Sequence, residues 1–178
     1  MPKYAVLVRG VNLKQRNRLV MAEFRELLQG LGHTAVTTYL NSGNAIIEAP
    51  EARTDHLAAA IRAALREQLG LDVGVVVRTG PELAAVVEAN PFPVADPALL
   101  RVAFLSDQPS IEVDRDAVAP EEFHLGDRVL YLKYGGNPRG SKLGLVTRAC
   151  LRATPELVIT ERNWNTTLAL ADRTGVNS

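Results

Sequence analysis

The chain of 178 residues carries 20 Lys and Arg against 20 Asp and Glu, with 47% hydrophobic and 22% charged residues. This length suits one domain of ordinary size or two small subdomains sharing a core, and the composition excludes disorder, a basic nucleic-acid arm and an acidic tail. One cysteine, Cys150, excludes a disulfide framework and a cysteine-built zinc site, and no apolar run approaches the roughly 18 residues of a membrane span.

The N-terminus has too short an apolar stretch for a signal peptide and no small-residue cleavage site, so a cytoplasmic protein without a membrane partner is expected. Tyr4 to Val8 is a continuous apolar run, the pattern of a central strand buried on both faces. Met21, Phe24, Leu27, Leu28 and Leu31 recur at helical spacing, and Gly32 follows as a stop. Ala35 to Leu40 is rich in β-branched and aromatic residues and reads as a strand. Asn41-Ser42-Gly43-Asn44 is turn chemistry, and Ala45 to Glu48 reads as the returning strand of a hairpin. Leu57, Ile61, Leu65 and Leu69 mark one face of a helix that starts near Thr54 and stops at Gly70. Val73 to Arg78 is a further apolar strand. The order β-α-β-β-α-β predicts a ferredoxin-like subdomain.

Thr79 and Glu82 have capping-box spacing, with Pro81 in the first turn of the next helix. Asn90-Pro91-Phe92-Pro93 ends that helix, and the three prolines of residues 91–98 mark the seam. The expected division is a ferredoxin-like subdomain with its following helix, residues 1–90, and a second, smaller α+β subdomain, residues 91–178. In the latter, strands are predicted at Arg101 to Leu105 and Val129 to Lys133, and a helix at Leu143 to Arg152. Thr160 reads as the N-cap of a last helix running to about Asp172.

The zero net charge hides segregation. No acid precedes Glu23, whereas residues 1–22 hold Lys3, Arg9, Lys14, Arg16 and Arg18. No acid lies between Asp127 and Glu156, a window with Arg128, Lys133, Arg139, Lys142, Arg148 and Arg152. Seven acids cluster at 107–127: Asp107, Glu112, Asp114, Asp116, Glu121, Glu122 and Asp127. Basic windows on one face would present a positive patch to an anion; scattered in space they are a solvated surface.

Topology places the loop after Arg9 and the turn at 41–44 at one end of the first sheet. That loop also leads into a helix N-terminus, whose free N–H groups favour anions. Arg9, Asn12, Arg16 and Arg18 would supply charge and donors, and Ser42, Gly43 and Asn44 the turn. Arg162, Asn163 and Asn165, beside the only Trp, would close the site if the last helix packs there; the alternative is that Trp164 and Leu168 simply anchor that helix.

Other motifs are weaker. Gly135 to Lys142 resembles a phosphate loop in glycine spacing, but Ser141 precedes Lys142 and Pro138 removes a donor. A looser anion nest of Arg139, Ser141 and Lys142 is the better functional reading, against a flexible turn. His33, His56 and His124 share no ligand spacing, so no metal is predicted, and the cofactor stays unassigned. Ser42 is a candidate nucleophile or a hairpin residue; Cys150 reads as buried filler.

Five separated stretches give the chain a family resemblance: Leu7 to Asn12, Met21 to Arg25, Thr38 to Asn44, Asn90-Pro91-Phe92 and Arg162 to Thr166. It resembles the bacterial domain-of-unknown-function family 1697 over nearly its whole length. The resemblance implies an α+β fold of two subdomains, the first ferredoxin-like, and implies no activity, substrate or catalytic residue. The chain departs from that family at Lys14-Gln15, where a Gly-Gly pair is usual, and in the spacing of Gly136 to Lys142.

The functional expectation is binding of a small anionic, phosphorylated ligand at the carboxyl end of the first sheet. The alternatives are nucleic-acid binding through the basic windows, a hydrolase or transferase using Ser42, and a protein-interaction module whose acidic segment 107–127 meets a basic partner.

Overall fold

The computed structural model describes residues 1–12, 17–40 and 42–175. It is a mixed α+β fold with two four-stranded antiparallel sheets and, among the described residues, five α-helices. The chain forms two compact units, Met1–Val87 with Ala169–Ser178, and Glu88–Leu168. The expected cut at residue 90 assigns residues 88–90 and 169–178 differently from these units.

The first unit contains β1 (Lys3–Val8), α1 (Met21–Gly30), β2 (Thr34–Tyr39), β3 (Asn44–Glu48), α2 (Thr54–Leu69), β4 (Val75–Thr79) and α3 (Gly80–Glu88, whose last residue falls in the second unit). The sheet order is β2-β3-β1-β4. Tyr4 to Val8 are all buried, as a continuous apolar run in a central strand requires. Tyr4, Val6 and Val8 meet Ala45 and Ile47 of β3, Phe24 and Leu28 of α1, and Ile61 and Leu65 of α2 in one core. Gly70 ends α2 in the left-handed conformation, with its N–H on Arg66 O. Thr79 and Glu82 form the reciprocal cap of α3: Thr79 N donates to Glu82 Oε2 at 2.8 Å, and Glu82 N to Thr79 Oγ1 at 3.2 Å. Gly80 lies against the Thr174 carbonyl so closely that any Cβ would overlap it.

The second unit contains β5 (Leu100–Leu105), β6 (Glu122–Leu125), β7 (Val129–Lys133), α4 (Gly144–Ala153) and β8 (Ile159–Asn163), in the sheet order β6-β7-β5-β8. Ala103 and Leu105 of β5, Leu130 and Leu132 of β7, and Val146 and Cys150 of α4 form its core. Helix α5 (Trp164–Thr174) leaves this unit and enters the first.

One element differs from the sequence reading. Thr160 is not a helix cap but lies inside β8, where Phe104 is its register partner on β5. Its hydroxyl accepts a hydrogen bond from Arg162 Nη1 at 2.7 Å. Sheet pairing along Arg101 to Leu105 wins over local capping preference, and Asn163 takes the cap: Thr166 N donates to Asn163 Oδ1 at 2.8 Å. Among the described residues, no helix is long and apolar enough to cross a membrane.

Candidate functional site

At one end of the first sheet, the loop after β1 and the turn between β2 and β3 lie side by side. Val8 N donates to Gly43 O at 2.9 Å, and Arg9 N to Gly74 O at 2.9 Å. Gly43 has φ +82°, and a Cβ there would stand 2.7 Å from Val11 Cγ2 and 3.1 Å from the Val8 carbonyl oxygen. This glycine is demanded both by backbone conformation and by the close approach of the two loops.

The asparagines at this end are clamps. Asn12 Nδ2 donates to Leu19 O at 2.9 Å, while Leu19 N donates back to Asn12 Oδ1 at 2.8 Å. Asn12 N reaches Asn17 O at 3.2 Å, and Asn17 Nδ2 reaches Gly10 O at 3.3 Å. Asn44 is fully buried, and its Nδ2 donates to Tyr39 O and to Ser42 Oγ, both at 3.0 Å. Ser42 is exposed, and the amide donating to its hydroxyl cannot take up a proton.

The charges behave differently. Arg9 and Arg18 are exposed, and their guanidinium groups have no hydrogen-bond or ion-pair partner among the described residues. A third cation, absent from the sequence-based set, comes from the end of the chain: Arg173 stacks over the Tyr39 ring at 4.4 Å, next to the turn. The length of chain between them left no local signal. Arg16 and Asn41 lie outside the described residues, as does the Lys14-Gln15 departure from the family pattern.

In the second unit, the loop 135–142 does hold an anion, and the anion is the protein's own. Glu121 accepts hydrogen bonds from Gly135 N (3.1 Å), Lys142 N (2.8 Å) and Ser141 Oγ (2.9 Å to each carboxylate oxygen). Desolvation pushes this carboxyl up, but the two N–H donors, the hydroxyl and the Lys142 charge outweigh it and hold its pKa below the ordinary value. Ser141 and Lys142 are thus engaged through Oγ and N–H. Arg139 N instead donates to Asn137 Oδ1 at 3.0 Å, within the loop. Glu121 looks in sequence like one of seven clustered acids; its partners are 14 to 21 residues away.

A second carboxylate in this unit has the opposite setting. Desolvation raises the pKa of Glu161, although Arg101 Nη1 lies 3.8 Å away and Tyr134 OH donates to it at 3.4 Å. Burial, with the Glu161 and Glu121 charges adding to it, pushes the Tyr134 phenol up to about 12. Arg101 Nε is buried and has no hydrogen-bond partner among the described residues.

Arg162, Asn163 and Asn165 belong to this second unit. Arg162 Nη1 donates to Thr160 Oγ1 and to Glu161 O at 2.7 and 2.8 Å, and burial pushes its pKa down to about 10. Asn163 caps α5, and Asn165 is exposed on its first turn. Burial lowers the pKa of His33 and raises that of the buried Cys150 thiol. Among the described residues, no group of three or more His, Cys, Asp or Glu side chains is placed to hold a metal ion.

Comparison with known proteins places the chain in a family. The conserved bacterial protein SP0830 from Streptococcus pneumoniae is similar in structure, with a TM-score of 0.69 at 21% identity, over 97% of this chain and 98% of that one. That likeness is one of fold. No curated protein matches the chain. The family described as "Protein of unknown function (DUF1697)" matches residues 1–131, close to three-quarters of the sequence, and the chain belongs to it.

Proposed function

We propose that the protein binds a small anionic, phosphorylated ligand at the carboxyl end of β1, with Arg9 and Arg18 as its principal cations. The observation that carries this reading is the contrast in use of side chains there. Asn12 and Asn44 are consumed in building the loops, whereas Arg9 and Arg18, in a segment that has no acid before Glu23, have no partner among the described residues. Guanidinium forks suit phosphate oxygens, and crevices at the carboxyl ends of strands are frequent ligand sites. The order β2-β3-β1-β4, with α1 and α2 on one face, supports reading this unit as ferredoxin-like. The single buried Cys150 supports a reducing, cytoplasmic setting.

A thermal-shift panel at constant ionic strength tests the proposal. It comprises nucleotides, coenzyme A, sugar phosphates, polyphosphate and short oligonucleotides, with wild type and Arg9→Ala side by side. A ligand at 100 times its Kd stabilises by about 2.7 kcal/mol, which raises Tm by roughly 5–10 °C at this size. The expected result is a selective rise that Arg9→Ala abolishes. A flat panel overturns the proposal. Stabilisation by every oligonucleotide, falling steeply with salt, replaces it with nucleic-acid binding.

A further inference from the structure

The second sheet has a free edge at β6, and the register shows which backbone groups it offers. Gly126 N donates to Val129 O at 2.7 Å, which makes Gly126 and Val129 a hydrogen-bonded pair continuing the β6–β7 ladder. Hydrogen-bonded and open pairs alternate in antiparallel sheets. His124–Tyr131 and Glu122–Lys133 are therefore bonded pairs, and Phe123 and Leu125 turn their N–H and C=O outward. Arg115 agrees with this assignment: its Nη1 donates to Phe123 O at 2.6 Å, and its guanidinium covers the Phe123 ring at 4.8 Å. The outward groups of Leu125 have no protein partner among the described residues.

A groove of about 510 Å³ runs along this edge, lined by Ile111 to Arg115 on one side and Phe123 to Leu125 on the other. Ile111 and Val113 are half-buried against the core, and Glu112 and Asp114 alternate outward, a strand-like pattern in a segment that joins no sheet. The local charge is one-sided: residues 107–127 hold seven acids against the single Arg115. Glu121 is consumed by its nest and Glu122 is paired with Lys133 at 3.0 Å, but Glu112 has no partner among the described residues.

We propose that this groove takes a basic, extended peptide segment that adds to the edge of β6. The incoming backbone pairs with Leu125 and with the Phe123 N–H, its alternate side chains rest on Ile111 and Val113, and its cations meet Glu112 and Asp114. Exposed edge groups give such a complex its affinity, and the alternating side chains give it specificity. Arg115 closes the edge at the Phe123 carbonyl and so sets where the added strand stops.

The probe is a fluorescein-labelled hexapeptide of alternating Lys and Val, followed by fluorescence anisotropy at physiological salt. Its controls are the Glu-Val peptide and a Lys-Val peptide N-methylated on alternate residues, which keeps the charge but cannot pair. The expected result is saturable binding of the Lys-Val peptide, weaker by about tenfold or more with N-methylation, since the hydrogen bond to the Leu125 carbonyl is lost and the methyl groups hold the added strand off the edge. Glu112→Gln with Asp114→Asn weakens binding similarly, and the asparagine keeps the acceptor for Asp116 N. Hydrogen exchange at the Leu125 amide slows on peptide addition. Absence of binding, equal binding of the N-methylated peptide, indifference to the double substitution, or an unprotected Leu125 amide would each overturn the proposal, as would self-association of the chain that leaves the peptide unbound.

Discussion

Two loops rich in Gly, Ser and Asn, one in each unit, use the same chemistry to opposite ends. At 42–44 the turn spends its polar groups on architecture: Asn44 holds Tyr39 O and Ser42 Oγ, and Gly43 lets β1 approach. The cations beside it, Arg9 and Arg18, have no partner among the described residues. At 135–142 the N–H and hydroxyl donors converge on an anion, and Glu121 already fills that position. A nest of donors is therefore no sign of an open site until its acceptor has been found, and charge without a partner is the stronger indication.

The largest expected difference between the two loops lies at their glycines. Gly43→Ala combines a left-handed backbone, costing about 1–2 kcal/mol, with a Cβ 2.7 Å from Val11 Cγ2 and 3.1 Å from Val8 O. Overpacking of that kind adds roughly 1–3 kcal/mol. We expect a loss of about 2–5 kcal/mol, a fall in Tm of roughly 5–20 °C, measured by thermal and urea denaturation. Gly136→Ala is its counterpart in the other loop. Nothing lies within 4 Å of the added methyl, so stability should stay within about 0.5 kcal/mol of wild type. Equal effects at the two glycines would erase the structural distinction between the loops.

Glu121→Ala comes next. It removes the acceptor of two N–H groups and a hydroxyl, and water can reach part of the gap, so the expected cost is about 1–2 kcal/mol. The pH dependence has a definite sign. A carboxyl whose folded pKa lies below its ordinary value of 4.5 contributes stability above that value, and loses it as pH falls through the folded pKa. Wild type should therefore lose stability in acid more steeply than Glu121→Ala. Parallel profiles in urea titrations from neutral pH to pH 3 would mean that the carboxylate is not held by the loop.

Much of the framework was legible because it rests on local physics. The helical spacing of Leu57, Ile61 and Leu65, closed by Gly70, marks α2, and Thr79 with Glu82 caps α3 reciprocally. The apolar run Tyr4 to Val8 marks a central strand for the same reason. What escaped depends on distant pairing. Thr160 has a capping side chain, yet β5 recruits it into a strand, which leaves Asn163 to cap α5. Glu121 and Arg173 gain their meaning from Ser141 and Tyr39, residues no local pattern connects to them. At the candidate site, Arg9 and Arg18 were visible as charge, but the clamping work of Asn12 and Asn44 was not.

Glu161 is the opposite case to Glu121. Its carboxyl is raised by desolvation, so the sign reverses: its contribution is fully present below the ordinary value of 4.5 and is lost as pH rises through the raised folded pKa. Glu161→Gln removes a poorly compensated charge at neutral pH and keeps an acceptor for Tyr134. Arg101, whose side chain is 38% exposed, stays hydrated without its partner. The expected change is neutral to stabilising, by up to about 1 kcal/mol. Clear destabilisation at pH 7, with none at pH 4, would show that the Arg101–Glu161 pair outweighs the desolvation of the acid.

The smallest effect on folding belongs to the residues given the largest role in binding. Arg9 and Arg18 are exposed and without described partners, so Arg9→Ala and Arg18→Ala should each leave stability within about 0.5 kcal/mol of wild type. Their sign is informative where salt is low. Cations gathered at one end of a sheet repel one another, and that repulsion is screened as the Debye length shortens from about 30 Å at 0.01 M to about 10 Å at 0.1 M. Removing one of them should raise Tm slightly at 0.01 M salt and leave it unchanged at 0.1 M. A simple anion such as phosphate should shift wild type more than either variant at matched ionic strength. If instead Arg9→Ala lowers Tm at both salt concentrations, its guanidinium holds the fold together, and exposed charge marks no open site at this end of the sheet, just as converging donors mark none at the 135–142 loop.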